Sequence, residues 1–265
     1  MIGQFTDINP KAKIGAGTEI SNFTTITGDV IIGENCWIGA GVNIMDGARI
    51  GNNVKIFPGA VISAVPQDLK YKGEITTTEI GDGTTIREYC TINKGTQAAG
   101  KTVIGRNCLI MAYCHVAHDC IIGDNCVLAN TVSLAGHIEL GNFVVIGGLA
   151  AISQFMKVGD HAMIGGYCQV RSNVPPYVRA AREPLAYIGV NTIGLKRRGY
   201  DDEVIAQIQE MYRIIFLKNK NQSKSIDEIR ANFPNSPEGN NIIAFLESIE
   251  GSLIKSPKSK YDNGD

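Results

Sequence analysis

From Ile2 to Val170, every sixth residue is Ile, Leu or Val, and only Asp68, Glu74 and Ala98 break the series. The residue after the aliphatic is often Gly, as at Gly33, Gly81, Gly123 and Gly165. This period fits neither an amphipathic helix, whose apolar face recurs every 3.6 residues, nor a simple alternating strand of period two. It predicts one short strand plus one corner per hexad. Three such faces close a triangular coil of about 18 residues, and coils stack at the ~4.8 Å spacing of hydrogen-bonded strands. A single coil cannot bury its inward aliphatics, so stacked neighbours supply a narrow, continuous core. Residues 1–174 are therefore read as an all-β domain, a parallel β-helix of hexapeptide repeats with roughly nine coils and a length of about 40–45 Å.

A second register also points inward. All seven cysteines (Cys36, Cys90, Cys108, Cys114, Cys120, Cys126 and Cys168) fall at multiples of six, together with Thr18, Val30, Val42, Ala48, Ala60, Val132 and Ala150. Zinc motifs use spacings of two to four, so these thiols are predicted to be buried and reduced, not ligands or disulfide partners. The hexads are interrupted at 66–78 and at 97–101, and both interruptions return in phase. Such excursions from a repeat are expected to flank a functional site. The period ends at Pro175-Pro176, which cannot continue a strand ladder. A connecting segment with a basic turn (175–200) then leads to a C-terminal helical domain (201–265). There, Val204, Ile205, Ile208, Met211, Tyr212 and Ile215 have helical spacing. Ser225 to Glu228 reads as a capping box, and Ser236-Pro237-Glu238 as a cap with Pro at the first helical position. The tail from Lys255 is polar and expected to fray.

Composition adds constraints. The 265 residues carry 25 Lys+Arg against 26 Asp+Glu, a formal charge of −1, so bulk charge selects no polyanion. A chain that is 44% hydrophobic and 19% charged describes an ordinary globular protein long enough to bury a core without disulfides. Its 30 Gly exceed the usual ~7%, and aromatics are only 7% with a single Trp37, as tight corners around a thin core require. No apolar run approaches a membrane span and the N-terminus lacks a signal pattern, so a cytoplasmic location without stable membrane insertion is expected.

The candidate chemistry is confined to a few outward positions. His115, His118, His137 and His161 fall on neither inward register. Adding 18 moves up one coil, so His118, Gly136 and Gln154 form a column, and Asp119 stacks beneath His137. A base, a carboxylate, a bare backbone and an amide then lie within about two strand spacings, ~10 Å. A neutral imidazole oriented by a carboxylate can take a proton from a hydroxyl, and the Gly136 N–H could hold an oxyanion. The competing reading is four ordinary surface histidines. Cysteine nucleophiles are disfavoured because every Cys points inward. A zinc site between prisms, as in hexapeptide carbonic anhydrases, wants two His five residues apart, whereas His115 and His118 are three apart, so no metal is expected. Lys196, Arg197 and Arg198 form either a solvated turn or a patch for phosphate or an acidic carrier protein. With no phosphate loop, dinucleotide fingerprint or general basic face, nucleic-acid binding has little support.

Four strings in this order, Pro66-Gln-Asp-Leu-Lys-Tyr71, His115-Val-Ala-His-Asp-Cys120, Leu134-Ala-Gly-His137 and Gly189-Val-Asn-Thr-Ile-Gly-Leu-Lys-Arg-Arg-Gly199, resemble the acyl-carrier-protein:UDP-N-acetylglucosamine O-acyltransferase family of lipid A biosynthesis. The resemblance runs over nearly the whole chain. It implies a homotrimer of left-handed β-helices, an exception to the right-handed crossover rule that the period alone does not reveal. It further implies active sites in clefts between prisms. There a (3R)-3-hydroxyacyl group would pass from a carrier-protein thioester to the glucosamine 3-hydroxyl of UDP-N-acetylglucosamine, with no cofactor beyond the carrier's phosphopantetheine. By motif, His118 would be the general base, Asp119 its orienter and Gly136 the oxyanion donor. Gln67, Asp68 and Lys70 would contact the sugar, and His115, His137 and Gln154 would line the cleft. Asn191, Arg197 and Arg198 would reach uracil, phosphate or carrier protein. Gly166 matches the position that rules acyl-chain length, and Gly there implies a long chain.

The chain departs from the family at Ile193, where Glu is frequent, and at Asn93 and Ser153, where His is frequent. Two alternatives remain. The related N-acyltransferase of the following acylation step carries an added N-terminal domain, whereas hexads here begin at Ile2. A non-enzymatic β-helical scaffold should show a regular outward Thr row, which this chain lacks.

Overall fold

The computed structural model describes residues 1–218 and 221–256. Short parallel strands, mostly of two residues, stack into three sheets of nine, eight and ten strands. The first face starts at Asp7–Ile8, the second at Lys13–Ile14 and the third at Glu19–Ile20. Each strand pairs with the strand one coil on, Asp7 with Thr25, Lys13 with Ile31 and Glu19 with Trp37. The architecture is the expected left-handed parallel β-helix with a helical C-terminus. The hexad aliphatics and the register at multiples of six fill one continuous core, and each fully buried Ile contributes about 1.5–3 kcal/mol. All seven cysteines are buried and free, and burial pushes the Cys120 thiol up to about 12.

The corners need a left-handed residue, and Asn35, Asn53, Asn107 and Asn125 supply it with φ between 54° and 59°. At the same corner, the backbone N–H groups of Glu34, Arg106, Asp124 and Asn142 donate to the side-chain oxygens of Asn52, Asp124, Asn142 and Asp160 one coil on. Turn donors that no strand could satisfy are paired in this way.

Both excursions add whole hexads, so Ile50 pairs with Ile80 and Ile80 with Ile104. They are slightly displaced from the sequence reading and occupy 65–76 and 94–100. Thr77, Thr78 and Lys101 belong to the ladder, because Thr77 pairs with Lys101 and Thr78 with Thr102. Nor does the ladder end at Pro175-Pro176. Val178–Ala181 adds a rung beside Met163–Ile164 and returns antiparallel as Ala186–Val190. The prolines sit in the corner ahead of that strand, where no ladder N–H is required.

Helix α1 (Thr192–Arg197) contains part of the expected basic turn. Next come α2 (Asp202–Arg213), which runs into a π-helical turn at Ile214–Lys218, then α3 (Gln222–Asn232) and α4 (Pro237–Ser248). Ile205, Ile208, Met211 and Tyr212 are the buried face of α2. Ser225 lies inside α3, because Asn221, an equally good cap, starts the helix earlier by accepting from the Ser223 N–H at 2.9 Å. Ser236 caps α4 as expected, accepting from the Gly239 N–H at 3.0 Å. Lys255 is still tied down, its carbonyl accepting from the Tyr187 N–H at 2.9 Å, and the fraying expected of 257–265 lies outside the described residues. No described helix is long and apolar enough to cross a membrane.

Candidate active site

The corner between the first and second faces gathers the predicted chemistry. His115 leaves the first face on strand His115–Val116, and the chain then turns through His118 and Asp119. Asp119 is left-handed, with φ of 60°, and this turns its carboxylate back onto the preceding imidazole. His118 Nδ1 lies 2.8 Å from Asp119 Oδ2. A carboxylate that ionises can only accept, so Nδ1 carries the proton and Nε2 keeps its lone pair. Asp119 is further held by Thr96, whose N–H donates to Oδ1 at 2.8 Å and whose hydroxyl donates to Oδ2 at 2.6 Å. Burial by itself would raise the Asp119 carboxyl, but the hydrogen bonds from Thr96 and His118 outweigh it and leave it below the ordinary carboxylate range.

One coil on, Gly136 is buried against the imidazole. A Cβ there would lie 2.6 Å from His118 Cε1 and 2.8 Å from Nε2, so only glycine lets the base reach this backbone. The expected stacking of Asp119 beneath His137 is present, with His137 Nε2 3.7 Å from Asp119 Oδ2. The His137 ring sits edge-on to His118 at 5.1 Å and stacks on Phe155 at 4.7 Å. His115 Nδ1 meets the Thr91 hydroxyl at 2.7 Å, and burial, then the neighbouring His118, lowers its pKa. Gln154 is exposed one further coil along the corner, beside an exposed Ser153. His118, Asp119 and His137 offer ligand atoms within 4.8 Å of one another. Nδ1 of His118 and both oxygens of Asp119 are already committed to hydrogen bonds, and that donor set suits proton transfer better than a metal ion.

The other predicted residues lie elsewhere. The first excursion springs from the same edge of the first face two rungs below His115, and Asn93 Nδ2 ties its base by donating to the Val65 carbonyl at 3.2 Å. Within it, Asp68 Oδ1 accepts from the Lys70 N–H at 3.0 Å, while Gln67 and Lys70 are exposed. Gly166 lies at the third–first corner, where a Cβ would come 3.0 Å from the Gly148 carbonyl oxygen. Arg197, Arg198, Asn191 and the exposed Ile193 line a cleft of about 530 Å³ with Val145, Met163 and Arg179 of the third face. Asn191 is buried and largely occupied, capping α1 through the Gly194 N–H at 3.3 Å and donating to the His161 carbonyl at 2.9 Å. Arg198 donates to the Phe143 carbonyl at 3.1 Å, and Lys196 pairs with Asp202. In a triangular prism the third face lies opposite the first–second corner. The basic cleft and His118 are therefore on opposite sides of one chain.

Two expectations from phase need correcting. His118 and His161 face outward by register but are only 5% and 9% exposed, because neighbouring coils and the C-terminal segment cover them. Spacing also missed Thr96, since the coil holding the second excursion is six residues longer and the rule of adding 18 fails there.

The chain is similar to known proteins over nearly its whole length. A family model described as UDP N-acetylglucosamine O-acyltransferase, domain 2, matches residues 173–254, and the bacterial transferase hexapeptide model matches 29–64 and 101–136. An acyl-[acyl-carrier-protein]–UDP-N-acetylglucosamine O-acyltransferase of Chlorobaculum parvum is 49% identical over 250 residues, covering 92% of this chain and 95% of the relative. The crystal structure of a UDP-N-acetylglucosamine acyltransferase from Bacteroides fragilis superposes with a TM-score of 0.94 at 46% identity, covering 96% of this chain and all of that one. The Francisella novicida UDP-N-acetylglucosamine acyltransferase gives a TM-score of 0.94 at 33% identity, covering 97% of this chain and 95% of that one.

Proposed function

The chain belongs to the acyl-[acyl-carrier-protein]–UDP-N-acetylglucosamine O-acyltransferase family, and from that premise we propose that it transfers a 3-hydroxyacyl group from a carrier-protein thioester to the 3-hydroxyl of UDP-N-acetylglucosamine, the first step of lipid A biosynthesis. The observation that carries this reading is the His118–Asp119 pair at 2.8 Å, packed against the bare backbone of Gly136. His118 Nε2 removes the proton from the sugar hydroxyl, and the freed oxygen attacks the thioester carbonyl. The Gly136 N–H stabilises the tetrahedral oxyanion. As the carbonyl reforms, the C–S bond breaks and the phosphopantetheine thiolate recovers the proton from His118.

The sugar would rest against Gln67, Asp68 and Lys70 of the first excursion and His115, His137 and Gln154 along the corner. The nucleotide or carrier protein would meet Asn191, Arg197 and Arg198. That second group lies across the prism from His118, so both serve one reaction only if a neighbouring copy supplies one of them. A homotrimer meets this need, and exposed apolar residues such as Leu69, Ile75, Tyr113 and Tyr167 give such an interface its material. Light scattering should return about three times the 28.5 kDa chain mass, and a monomer that is nevertheless active would overturn the shared site.

Mass spectrometry tests the reaction directly, with purified protein, UDP-N-acetylglucosamine and a panel of 3-hydroxyacyl carrier proteins. The wild type is expected to yield an O-acylated sugar nucleotide, and His118→Ala none above background. Gly166→Met should shift the preferred donor to shorter chains, and an unchanged chain-length profile would remove Gly166 as the ruler.

A further inference from the structure

The second excursion has a clear structural consequence. It inserts six residues between Asn93 and Lys101 and returns to the same ladder, with Ile80 and Ile104 still paired. The insertion brings Thr96 over a carboxylate one coil up, 23 positions away in sequence. Thr96 is buried and fully engaged. Its carbonyl accepts from the Gly100 N–H at 2.7 Å. Its hydroxyl oxygen accepts from the Ala98 N–H at 3.2 Å, which aims its single proton at Asp119 Oδ2, 2.6 Å away. The excursion is anchored where Thr76 Oγ1 donates to the Gly95 carbonyl at 2.6 Å. From the other side, Thr102 Oγ1 accepts from the Asp119 N–H at 2.9 Å. Both oxygens of the carboxylate and the Asp119 N–H are thereby engaged.

We infer that Thr96 is a positioning residue for acyl transfer: its paired N–H and O–H donors lock the Asp119 carboxylate in the orientation that presents His118 Nε2 to the acceptor hydroxyl. The inference rests on the reaction proposed above. A charge-assisted hydrogen bond of this kind is short and roughly twice as strong as a neutral one. Without the hydroxyl, Oδ2 would pull harder on its remaining donor, His118 Nδ1–H, and could swing toward His137 Nε2 at 3.7 Å, so two imidazoles would compete for one acceptor. The titratable groups facing this carboxylate are His118, His137 and the Cys120 thiol, with His115 beyond His118.

The test compares wild type, Thr96→Val and Thr96→Ser in the carrier-protein assay across pH. Valine keeps the shape and the backbone donor, and serine restores the hydroxyl. Thr96→Val should lower kcat by about tenfold or more, as expected for losing a hydrogen bond to a charged group, with KM for both substrates within about twofold. The acid limb of its kcat/KM profile, which belongs to the His118–Asp119 pair as a unit, should move to higher pH. Thr96→Ser should recover both. Unchanged kcat and limb in Thr96→Val overturns the inference, and so does an equal loss in valine and serine variants with a lowered Tm, which marks a packing role only. If the wild type itself transfers no acyl group, the reaction assignment fails and Thr96 is judged by carbon NMR of the Asp119 carboxyl. Its titration should rise in Thr96→Val, and an unmoved titration refutes the positioning role.

Discussion

Two corners of the same prism each bury a histidine beside an aromatic stack, and only one of them pairs its ring with a carboxylate. At the first–second corner, His118 donates to an ionised Asp119, and His137 stacks on Phe155. At the second–third corner, His161 is sandwiched between Phe143 at 4.8 Å and Tyr177 at 5.5 Å, with Tyr200 edge-on. Among the described residues His161 Nδ1 has no partner, its Nε2 lies 3.3 Å from the Tyr200 hydroxyl, and Arg198 is close by. Burial, then the Arg198 charge, pushes its pKa down to about 4. The nearby Asp160 is spent on the Asn142 N–H and the Asn241 amide. An imidazole becomes a base when a carboxylate fixes its tautomer and a bare backbone leaves its other nitrogen open. One without that carboxylate, set beside a guanidinium, is a neutral packing element.

The sharpest way to break this contrast is substitution. His118→Ala should lower kcat by about 10²–10⁴-fold, the usual contribution of a general base, whereas His161→Phe, which keeps the stack, should stay within a few-fold of wild type. Equal losses would place both corners in the chemistry. Next in size is Gly136→Ala. Its methyl must displace the His118 ring, so about a tenfold or greater fall in kcat is expected with a near-normal circular dichroism spectrum, and full activity would show that the ring need not touch this backbone.

The third contrast is pH. The folded His161 pKa lies below the ordinary 6.5, so above pH 6.5 neither folded nor unfolded chains protonate this ring. Between 6.5 and about 4 only the unfolded chain takes the proton, so stability falls with pH through that window and the loss saturates below it. Its size is at most roughly 3–4 kcal/mol. Denaturant melts at several pH values should show this dependence flattened in His161→Phe, and identical curves would deny His161 its buried, neutral role. The smallest effect concerns the cleft next to that corner. Replacing Arg197 and Arg198 by Ala should raise KM for nucleotide or carrier a few-fold at low salt and less at high salt, where charge contacts are already screened. A difference independent of salt would point to packing by Arg198 on Phe143.

Much of this was legible in one dimension because a repeat converts sequence separation into height. The hexads gave the faces, the two inward registers and the fate of every cysteine. Within the uninterrupted coils the step of 18 placed Gly136 on His118 and Asp119 under His137 correctly. Legibility failed wherever the step changed. Thr96 reaches Asp119 across a lengthened coil, and Ser225 loses its capping role to Asn221 because both are good caps and packing chose the earlier one. Pro175-Pro176 reads as a stop, yet one more rung forms because a corner needs no ladder donor.

The sequence by itself determined the prism, its core and the column of polar residues, because a six-residue period leaves only one way to bury that many aliphatics with so few aromatics. Only the tertiary structure decided which histidine has a fixed tautomer, which is held neutral, and that the basic cleft stands across the prism from His118. Those properties depend on the direction of one left-handed corner, on donors brought in by a loop, and on what covers a side chain. None of these is a function of spacing along the chain.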